Sequence, residues 1–169
     1  MTNEKVEEKK KRLADSVGDF IRYWGFKEVH GRIWVHIYLA ENPITAKELT
    51  KKLGVTKGLV STALAELIAY QVVEKVNVGD ARSPGYQSNT DLVQVINNIL
   101  RNRELKLTTR IKEDSEALAK EMVDADSLML DKINKLQDMT RFAVDSLQKL
   151  LNSKAISTER FIKIMRLIS

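Results

Sequence analysis

Apolar side chains recur every three or four positions along most of this chain, which is the spacing of amphipathic helices. A first helix is predicted over residues 6–24, with Gly25 as its stop in the left-handed conformation. A second helix is predicted over residues 28–41. It ends at Asn42, because the residue before a proline avoids the helical region. Both helices carry enough apolar positions to pack against a core.

Two shorter helices around a tight turn follow. Thr45 and Glu48 form a capping-box pattern that begins a helix over residues 46–53. Gly54 supplies the turn, and Thr56 caps a helix over residues 57–71. At about 100° per residue, Val60, Leu64 and Leu67 share one side of this helix. The other side carries Gly58, Thr62, Ala65 and Ala69, with Ser61 at the boundary. This pattern predicts a helix-turn-helix.

The segment after these helices has the pattern of a β-hairpin. Residues 72–78 are rich in β-branched side chains and predict a strand. Residues 79–85 have the composition of a turn, and residues 86–88 can form the returning strand. Ile44 can add a strand of one or two residues. A hairpin after a helix-turn-helix predicts a winged helix, so the fold class is mainly α with a small β-hairpin wing.

From residue 90 onward the pattern is helical only. A long helix is predicted from Leu92 to about Met122, a break at residues 124–127, and a second long helix over residues 127–152. The second has a coiled-coil-like stripe, and Ser157 caps an apolar last helix. The stripe residues are Ile133, Leu136, Met139 or Thr140, Ala143, Leu147 and Leu150.

Three regions follow from this pattern: an N-terminal helix (1–27), a winged helix-turn-helix (28–89) and a helical region (90–169). The apolar faces after residue 90 have no second core to receive them. Burial against a second copy, with the N-terminal helix taking part, is the favoured interpretation. A self-contained helical bundle in a monomer is the alternative. A two-fold dimer would also place two recognition helices about one DNA turn apart.

Charge and composition narrow the function only slightly. The net charge of +5 and the pI of about 9.3 permit a polyanionic partner. The excess is spread out, since residues 1–90 hold 14 basic and 11 acidic side chains and residues 91–169 hold 14 and 12. The absence of Cys excludes disulfides and thiolate metal sites. No apolar run is long enough to span a membrane and no signal peptide is evident, so a cytoplasmic protein is expected.

The outward side of the second helix of the helix-turn-helix is the main candidate site. Its small groups permit close approach to a major groove, where Lys57, Ser61 and Thr62 can reach phosphates or base edges. Arg82 at the wing tip is a candidate for the minor groove or the DNA backbone, or else an ordinary loop residue paired with Asp80. The predicted DNA-binding residues are Lys47, Thr56, Lys57, Gly58, Ser61, Thr62, Lys75 and Arg82. Lys51 and Lys52 are further candidates for phosphate contacts, although simple solubility explains exposed lysines equally well.

Aromatic residues concentrate in the first two predicted helices. Tyr23, Trp24, Trp34 and Tyr38 are candidates for a cage around a cationic or aromatic ligand. Core packing is the favoured interpretation of this cluster. His30 and His36 lie on different faces of one helix, so no metal site is expected. No phosphate-binding glycine loop or nucleophile–base pair is evident, so neither an enzyme nor a cofactor is expected.

A set of short motifs within residues 20–92 carries a family resemblance: Gly31-Arg32-Ile33, Pro43-Ile44-Thr45-Ala46-Lys47-Glu48-Leu49, Thr56-Lys57-Gly58-Leu59-Val60-Ser61, Leu64-Ala65-Glu66-Leu67, Gly79-Asp80 with Arg82, and Thr90-Asp91-Leu92. With these motifs the segment resembles the GbsR-like branch of the MarR-type transcriptional regulators. The resemblance implies a dimeric winged-helix repressor that dimerises through its terminal helices. Some relatives respond to choline-like or betaine-like ligands.

This chain departs from the family pattern in its recognition helix, where it has Leu59, Ala63 and Ala65 instead of the Asn and Arg that are often found. Gln71 stands where Gly is common, and Ala81 lies between Asp80 and Arg82. The favoured interpretation is a dimeric, sequence-specific DNA-binding regulator. A low-specificity architectural DNA binder and a winged-helix module that contacts the transcription machinery are the alternatives.

Overall fold

The computed structural model describes residues 3–78, 83–122 and 127–152 of the chain. The chain divides into two compact units, Met1–Leu92 and Val93–Ser169. In the described part, no helix is long and apolar enough to cross a membrane.

The first unit begins with two helices that pack closely together, α1 (Asn3–Arg22) and α2 (Glu28–Tyr38). They approach at a pair of glycines. A Cβ on Gly31 would lie 2.8 Å from both the Cα and the backbone nitrogen of Gly18, so the two backbones are nearly in contact. Beside this crossing, the Arg32 Nε donates a hydrogen bond of 2.6 Å to Asp15 Oδ1. Gly25, after α1, has a φ of 78°, which confirms the predicted left-handed stop.

The helix-turn-helix consists of α3 (Ala46–Leu53) and α4 (Lys57–Ala69). Both halves of the predicted capping box are present. The Thr45 amide donates to Glu48 Oε2 at 2.7 Å, and the Glu48 amide donates to Thr45 Oγ1 at 3.3 Å. Gly54 ends α3 with a φ of 64°, and the Thr56 hydroxyl accepts from the Leu59 amide at 3.3 Å. The local signals in the sequence therefore define this turn.

A three-stranded antiparallel sheet completes the winged helix. Its strands are β1 (Ile44–Thr45), β2 (Val73–Val76) and β3 (Gly85–Ser88), in the order β1-β3-β2. The register pairs Ile44 with Tyr86, and Val76 with Gly85. The sheet is tied to α2, because the Trp34 indole N–H donates to the Ser88 hydroxyl at 2.9 Å. The predicted hairpin and the short extra strand are confirmed.

The core of the first unit forms where α2, α3, α4 and the sheet meet. Ile33, Leu49 and Val60 are fully enclosed there. The other buried apolar residues of this unit are Ala14, Val29, Val35, Ile37, Ile44, Ala63, Leu64, Leu67, Val72 and Val73. The predicted inner side of α4 is therefore confirmed, with Ala63 added to it.

Two helices of the first unit are shorter than predicted. Helix α2 ends at Tyr38, three residues before the predicted end at Glu41. Helix α4 ends at Ala69, because Gln71 has a φ of 58° and the Val72 amide turns back to the Leu67 carbonyl at 3.1 Å. Such a left-handed residue is more often glycine, and glycine was the stop signal that the sequence lacked.

The second unit is formed by long helices. Helix α5 (Leu92–Ile99) runs through a π-helical segment, Leu100–Leu105, into α6 (Lys106–Glu121). Helix α7 (Ser127–Asn152) packs against α6, and the Gln137 side-chain amide donates to the Ser115 carbonyl at 3.0 Å. The two predicted long helices are confirmed, while the π-helical segment was not predicted. The last predicted helix, after Ser157, lies outside the described residues.

Candidate nucleic-acid interface

The outward face of α4 is open to solvent as the helical pattern predicted. Gly58, Ser61, Thr62 and Ala65 are all exposed. A Cβ on Gly58 would meet no atom within 4 Å, so nothing in the described chain covers the start of this face. Leu59, at its edge, is 39% exposed. The helix thus presents a narrow, low-profile surface that a DNA groove can approach closely.

The amino-terminal end of α4 adds an electrostatic component. Lys57, Gly58 and Leu59 of the first turn are exposed residues, and the Leu59 amide donates to the Thr56 hydroxyl. Free amides and the positive end of the helix dipole favour an anion such as a DNA phosphate. The structure therefore places Thr56 as the cap of this helix end. Its predicted role in DNA contact stays a prediction.

The lysines of the first unit differ in their surroundings. Lys47, Lys51, Lys57 and Lys75 are exposed, and within the described residues none of them has a carboxylate partner. Their ammonium groups are available to phosphates.

Lys52 differs from these four lysines, because its Nζ lies 3.5 Å from Glu7 Oε2 of α1. The hydrogen bond from Lys10, together with the charge of Lys52, lowers the pKa of the Glu7 carboxyl. Glu7 therefore competes with any phosphate for Lys52.

The base of the wing is held by cross-strand contacts. The Gln87 side-chain amide donates to Glu74 Oε1 at 2.5 Å across β2 and β3. The tight approach at Gly85, where a Cβ would lie 2.7 Å from the Pro43 Cβ, fixes β3 against the start of β1. The wing tip, including Arg82 and Asp80, lies outside the described residues. The role of Arg82 stays a prediction.

The four aromatic cage candidates form two separate arrangements. Trp34 and Tyr38 stack on α2 with ring centroids 4.9 Å apart, and Trp34 is anchored to Ser88. Trp24 packs against Phe20 at 5.8 Å, while Tyr23 is 86% exposed. Among the described residues, no ring contact links Trp24 or Tyr23 to the Trp34–Tyr38 pair. A shared cage is therefore an untested prediction.

The two histidines have unrelated environments. His36 is half-buried, and burial lowers the pKa of its ring, with the charge of Lys52 as the next cause. His30 is almost completely buried between α2 and α4 and lies beside Glu66. The described residues contain no group of three His, Asp or Glu side chains placed to hold a metal ion.

Glu66 and Gly18 were given no role by the sequence patterns. Glu66 lies at the edge between the buried and outward sides of α4, a position that follows from the helical spacing. A carboxylate at such an edge needs a partner, and this requirement was the signal in the sequence that could have indicated a role for Glu66. The identity of the partner could not be predicted, because it is remote in sequence. Gly18 gave no local signal, since only the approach of α2 requires its missing side chain.

These features define a class of protein, the winged-helix proteins: a helix-turn-helix, an antiparallel hairpin and an exposed second helix. Residues 36–83, from α2 through the wing, match the sequence model of the MarR family. This segment of the chain is therefore similar to the MarR family. The match covers the helix-turn-helix and does not extend to the long helices of the second unit.

Two relatives extend the comparison. The HTH-type transcriptional repressor OpcR of Bacillus subtilis (strain 168) is 24% identical over 119 residues, which are 70% of this chain and 64% of OpcR. The match thus spans less than two thirds of that protein. A crystal structure of a transcriptional regulator superposes with a TM-score of 0.68 at 13% identity, over 85% of this chain and 95% of that one. The second likeness shows the shared fold.

Proposed function

We propose that this protein is a dimeric, sequence-specific DNA-binding transcriptional regulator that represses by occupying a promoter. The observation that carries the proposal is the open outward face of α4, framed by caps at its start and by the sheet behind it. The MarR-type match over residues 36–83 and the likeness to the repressor OpcR support it. The activity is one of binding, with no catalytic step.

In the proposed complex, α4 enters the major groove with its amino-terminal end foremost. Lys57 and the free amides would contact a phosphate, and the hydroxyls of Ser61 and Thr62 would contact base edges or the backbone. Gly58 would allow the backbone to approach closely. Lys47 and Lys75 would add phosphate contacts, and Arg82 would extend from the wing toward the minor groove. Phosphate contacts would set the register of the protein, and the few base contacts would provide the sequence preference.

Dimerisation is supported by an uncovered apolar stripe on α7. The side of this helix that carries Thr140 and Val144 is buried, but a neighbouring stripe is not. Met139 is 68% exposed and Phe142 is 69% exposed. Leu128, Leu136 and Leu150 continue the stripe. A second copy is the partner we propose for it, because two-fold pairing buries the same stripe on both protomers, and reading of two half-sites requires a two-fold dimer.

The N-terminal helix offers apolar surface of its own. Leu13, Phe20 and Trp24 are each about half exposed on α1 and just after it, at 47%, 59% and 48%. They recur at a helical spacing on one side of α1, whose other side packs on α2. We propose that α1 also takes part in the dimer.

A finer placement in the GbsR-like branch, with a quaternary amine as effector and the cytoplasm as location, belongs to the same proposal. The stacked Trp34–Tyr38 pair supports the quaternary amine effector, because aromatic faces attract quaternary ammonium groups. Titration with choline and with betaine tests the effector proposal, and the melting temperature and the DNA affinity of the protein are measured. A shift in either quantity supports the effector. If neither quantity shifts at millimolar ligand, the effector proposal is contradicted.

The central experiment is selection of genomic DNA fragments by the purified protein, followed by titration of the enriched sequence at several salt concentrations. If each protomer neutralises three or four phosphates, the log–log salt slope is expected to be about −6 for the dimer. Lys57→Ala and Arg82→Ala should each weaken binding and make the slope shallower by about one unit for every phosphate that is no longer neutralised. Lys106→Ala, an exposed lysine of the second unit, is the control. Affinity that does not change with salt contradicts the proposal.

A low-specificity architectural DNA binder is the second candidate, and one observation favours it. Helix α4 contains no Arg, Asn or Gln, the residues that make bidentate contacts with bases. Its outward face is small and carries one cation, Lys57. Selection separates the two candidates, because a regulator enriches a defined motif whereas an architectural protein enriches diffuse DNA.

A further inference from the structure

His30 lies between the start of α2 and helix α4 of the first unit. Its ring lies between α2 and α4, and the residue is only 1% exposed. Its Nδ1 lies 3.0 Å from the carbonyl oxygen of Lys27, at the start of α2. Its Nε2 lies 2.9 Å from Glu66 Oε2 of α4, a close contact that lacks hydrogen-bond geometry, and that nitrogen has no hydrogen-bond partner in the described chain. The ring therefore lies between the beginning of α2 and the last turn of α4.

Glu66 is held from two sides. Its second carboxylate oxygen lies 3.4 Å from the Nζ of Lys27, so one carboxylate faces both the buried His30 ring and an exposed ammonium group. The Glu66 side chain is 36% exposed, so water reaches only part of it. This arrangement restricts the carboxylate more than a surface ion pair would, because the His30 ring is fixed by the surrounding core.

The rest of α4 is held by apolar packing. Its inner side consists of Val60, Ala63, Leu64 and Leu67. Among the described residues of α4, Glu66 is the one whose side chain makes a polar contact with another element. Apolar contacts hold a helix against a core but carry little directional preference. Glu66 therefore adds a directional polar contact to the apolar packing that holds α4.

That orientation matters for reading DNA. The outer side-chain atoms of a helix lie about 5 Å from its axis, so a rotation of about 20° moves them by about 2 Å. A hydrogen bond tolerates a few tenths of an ångström. Such a rotation would move Ser61 or Thr62 out of hydrogen-bond reach of base edges. Flexible lysines could still reach phosphates after it.

We propose that Glu66, clamped by His30 and Lys27, is a positioning residue that sets the rotation of α4 and thereby the sequence preference of the protein. The inference rests on the proposed function, in which α4 lies in the major groove. Glu66 contacts no DNA in this scheme and acts through the orientation of its helix. Its removal should reduce the affinity for the selected site and leave the affinity for unrelated DNA intact.

The test compares Glu66→Ala with Glu41→Ala, which removes the same charge from an exposed loop. Dissociation constants are measured for each variant on the selected site and on an unrelated duplex, at several salt concentrations. Glu66→Ala should lower the ratio of the two affinities about tenfold, with an unchanged salt slope. Glu41→Ala should keep the ratio of the wild type. Glu66→Gln should recover part of the ratio, because its amide oxygen can still face the His30 ring.

Lys27→Ala gives a second measurement that keeps the core intact, since this side chain is 63% exposed. It should lower the ratio by a few-fold in the same direction, and this result decides the matter if Glu66→Ala fails to fold. The inference is overturned if the wild type binds its site but three variants have the same affinity ratio as Glu41→Ala. These variants are Glu66→Gln, Glu66→Ala and Lys27→Ala. If the wild-type protein retains no DNA, the proposed function itself is contradicted, and so is the positioning role of Glu66.

Discussion

Gly58 and Gly31 both lie within helices, but their surroundings differ. Gly31 is pressed against the backbone of Gly18, whereas the space around Gly58 is open. In a helix, glycine costs about 0.5–1 kcal/mol relative to alanine. At Gly31 this cost is offset by the close packing of two helices. At Gly58 nothing in the described chain offsets it, which is consistent with a requirement imposed by a bound partner.

Gly58→Ala should therefore stabilise the free protein and weaken its DNA complex. The expected gain is about 0.5–1 kcal/mol in the free energy of unfolding. The added methyl group should push the DNA backbone away and lower the affinity about tenfold. This loss corresponds to about 1.5 kcal/mol, the contribution of one hydrogen bond to a phosphate. Urea unfolding and DNA titration measure the two effects. An alanine variant that binds DNA as tightly as the wild type would contradict close approach at this position.

His36 gives a prediction for the pH dependence of stability. Burial, with Lys52 as the next cause, depresses the pKa of His36 below the ordinary value of 6.5. The folded state therefore binds this proton less readily than the unfolded state does. The contribution to stability is present above pH 6.5 and diminishes as the pH falls below it.

The measurement is the free energy of unfolding at pH 7.5 and pH 5.5 for the wild type and for His36→Gln. The wild type should lose more stability between the two pH values than the variant, which cannot take up the proton. Equal losses in the two proteins would show that other groups account for the pH dependence.

At the scale of elements, the helix-turn-helix follows from local chemistry, whereas the packing of α1 on α2 does not. The capping box at Thr45 and the turn at Gly54 are encoded within a few residues, and both were predictable. The Glu48 carboxyl accepts hydrogen bonds from the Thr45 hydroxyl and the Thr45 amide. Both lower the pKa of this carboxyl, the hydroxyl more than the amide, as expected for a formed cap. The approach of Gly18 to Gly31 involves residues that are distant along the chain, and no local pattern indicated it.

Gly31→Ala should destabilise the first unit by about 1–3 kcal/mol, because its Cβ would meet backbone atoms that cannot move aside cheaply. Urea unfolding measures the decrease. Gly58→Ala is the matched control, since it adds the same methyl group to a helix in open space. Equal shifts in the two variants would contradict the close contact between α1 and α2.

At the scale of the whole molecule, the exposed stripe on α7 is the main support for the proposed dimer. Coiled-coil-like spacing predicted one stripe over Ile133, Leu136, Met139 or Thr140, Ala143, Leu147 and Leu150. The structure separates these positions into a side that faces α6 and a side that remains exposed. A helix with two apolar sides needs two partners, and the described chain supplies one.

Met139→Lys should therefore dissociate the protein into monomers and leave its helical content unchanged. A charge placed on the exposed stripe would have to be buried in the dimer, at a cost of several kcal/mol. Sedimentation equilibrium measures the mass, and circular dichroism measures the helicity. Gln148→Lys, on the exposed polar side of α7, is the control and should remain dimeric. A dimeric Met139→Lys variant would locate the interface elsewhere.

The sequence by itself determined the order of the α-helices and strands in the described chain, the caps and turns of the helix-turn-helix, and the outward face of α4. These features depend on side chains within a few positions of one another, so helical periodicity and turn chemistry reveal them. The tertiary structure decided the end of α4 at a left-handed Gln71, the contact of Gly18 with Gly31, and the clamp of His30 and Lys27 on Glu66. The two contacts join residues up to 39 positions apart in the sequence, so the partners meet only when the chain has folded.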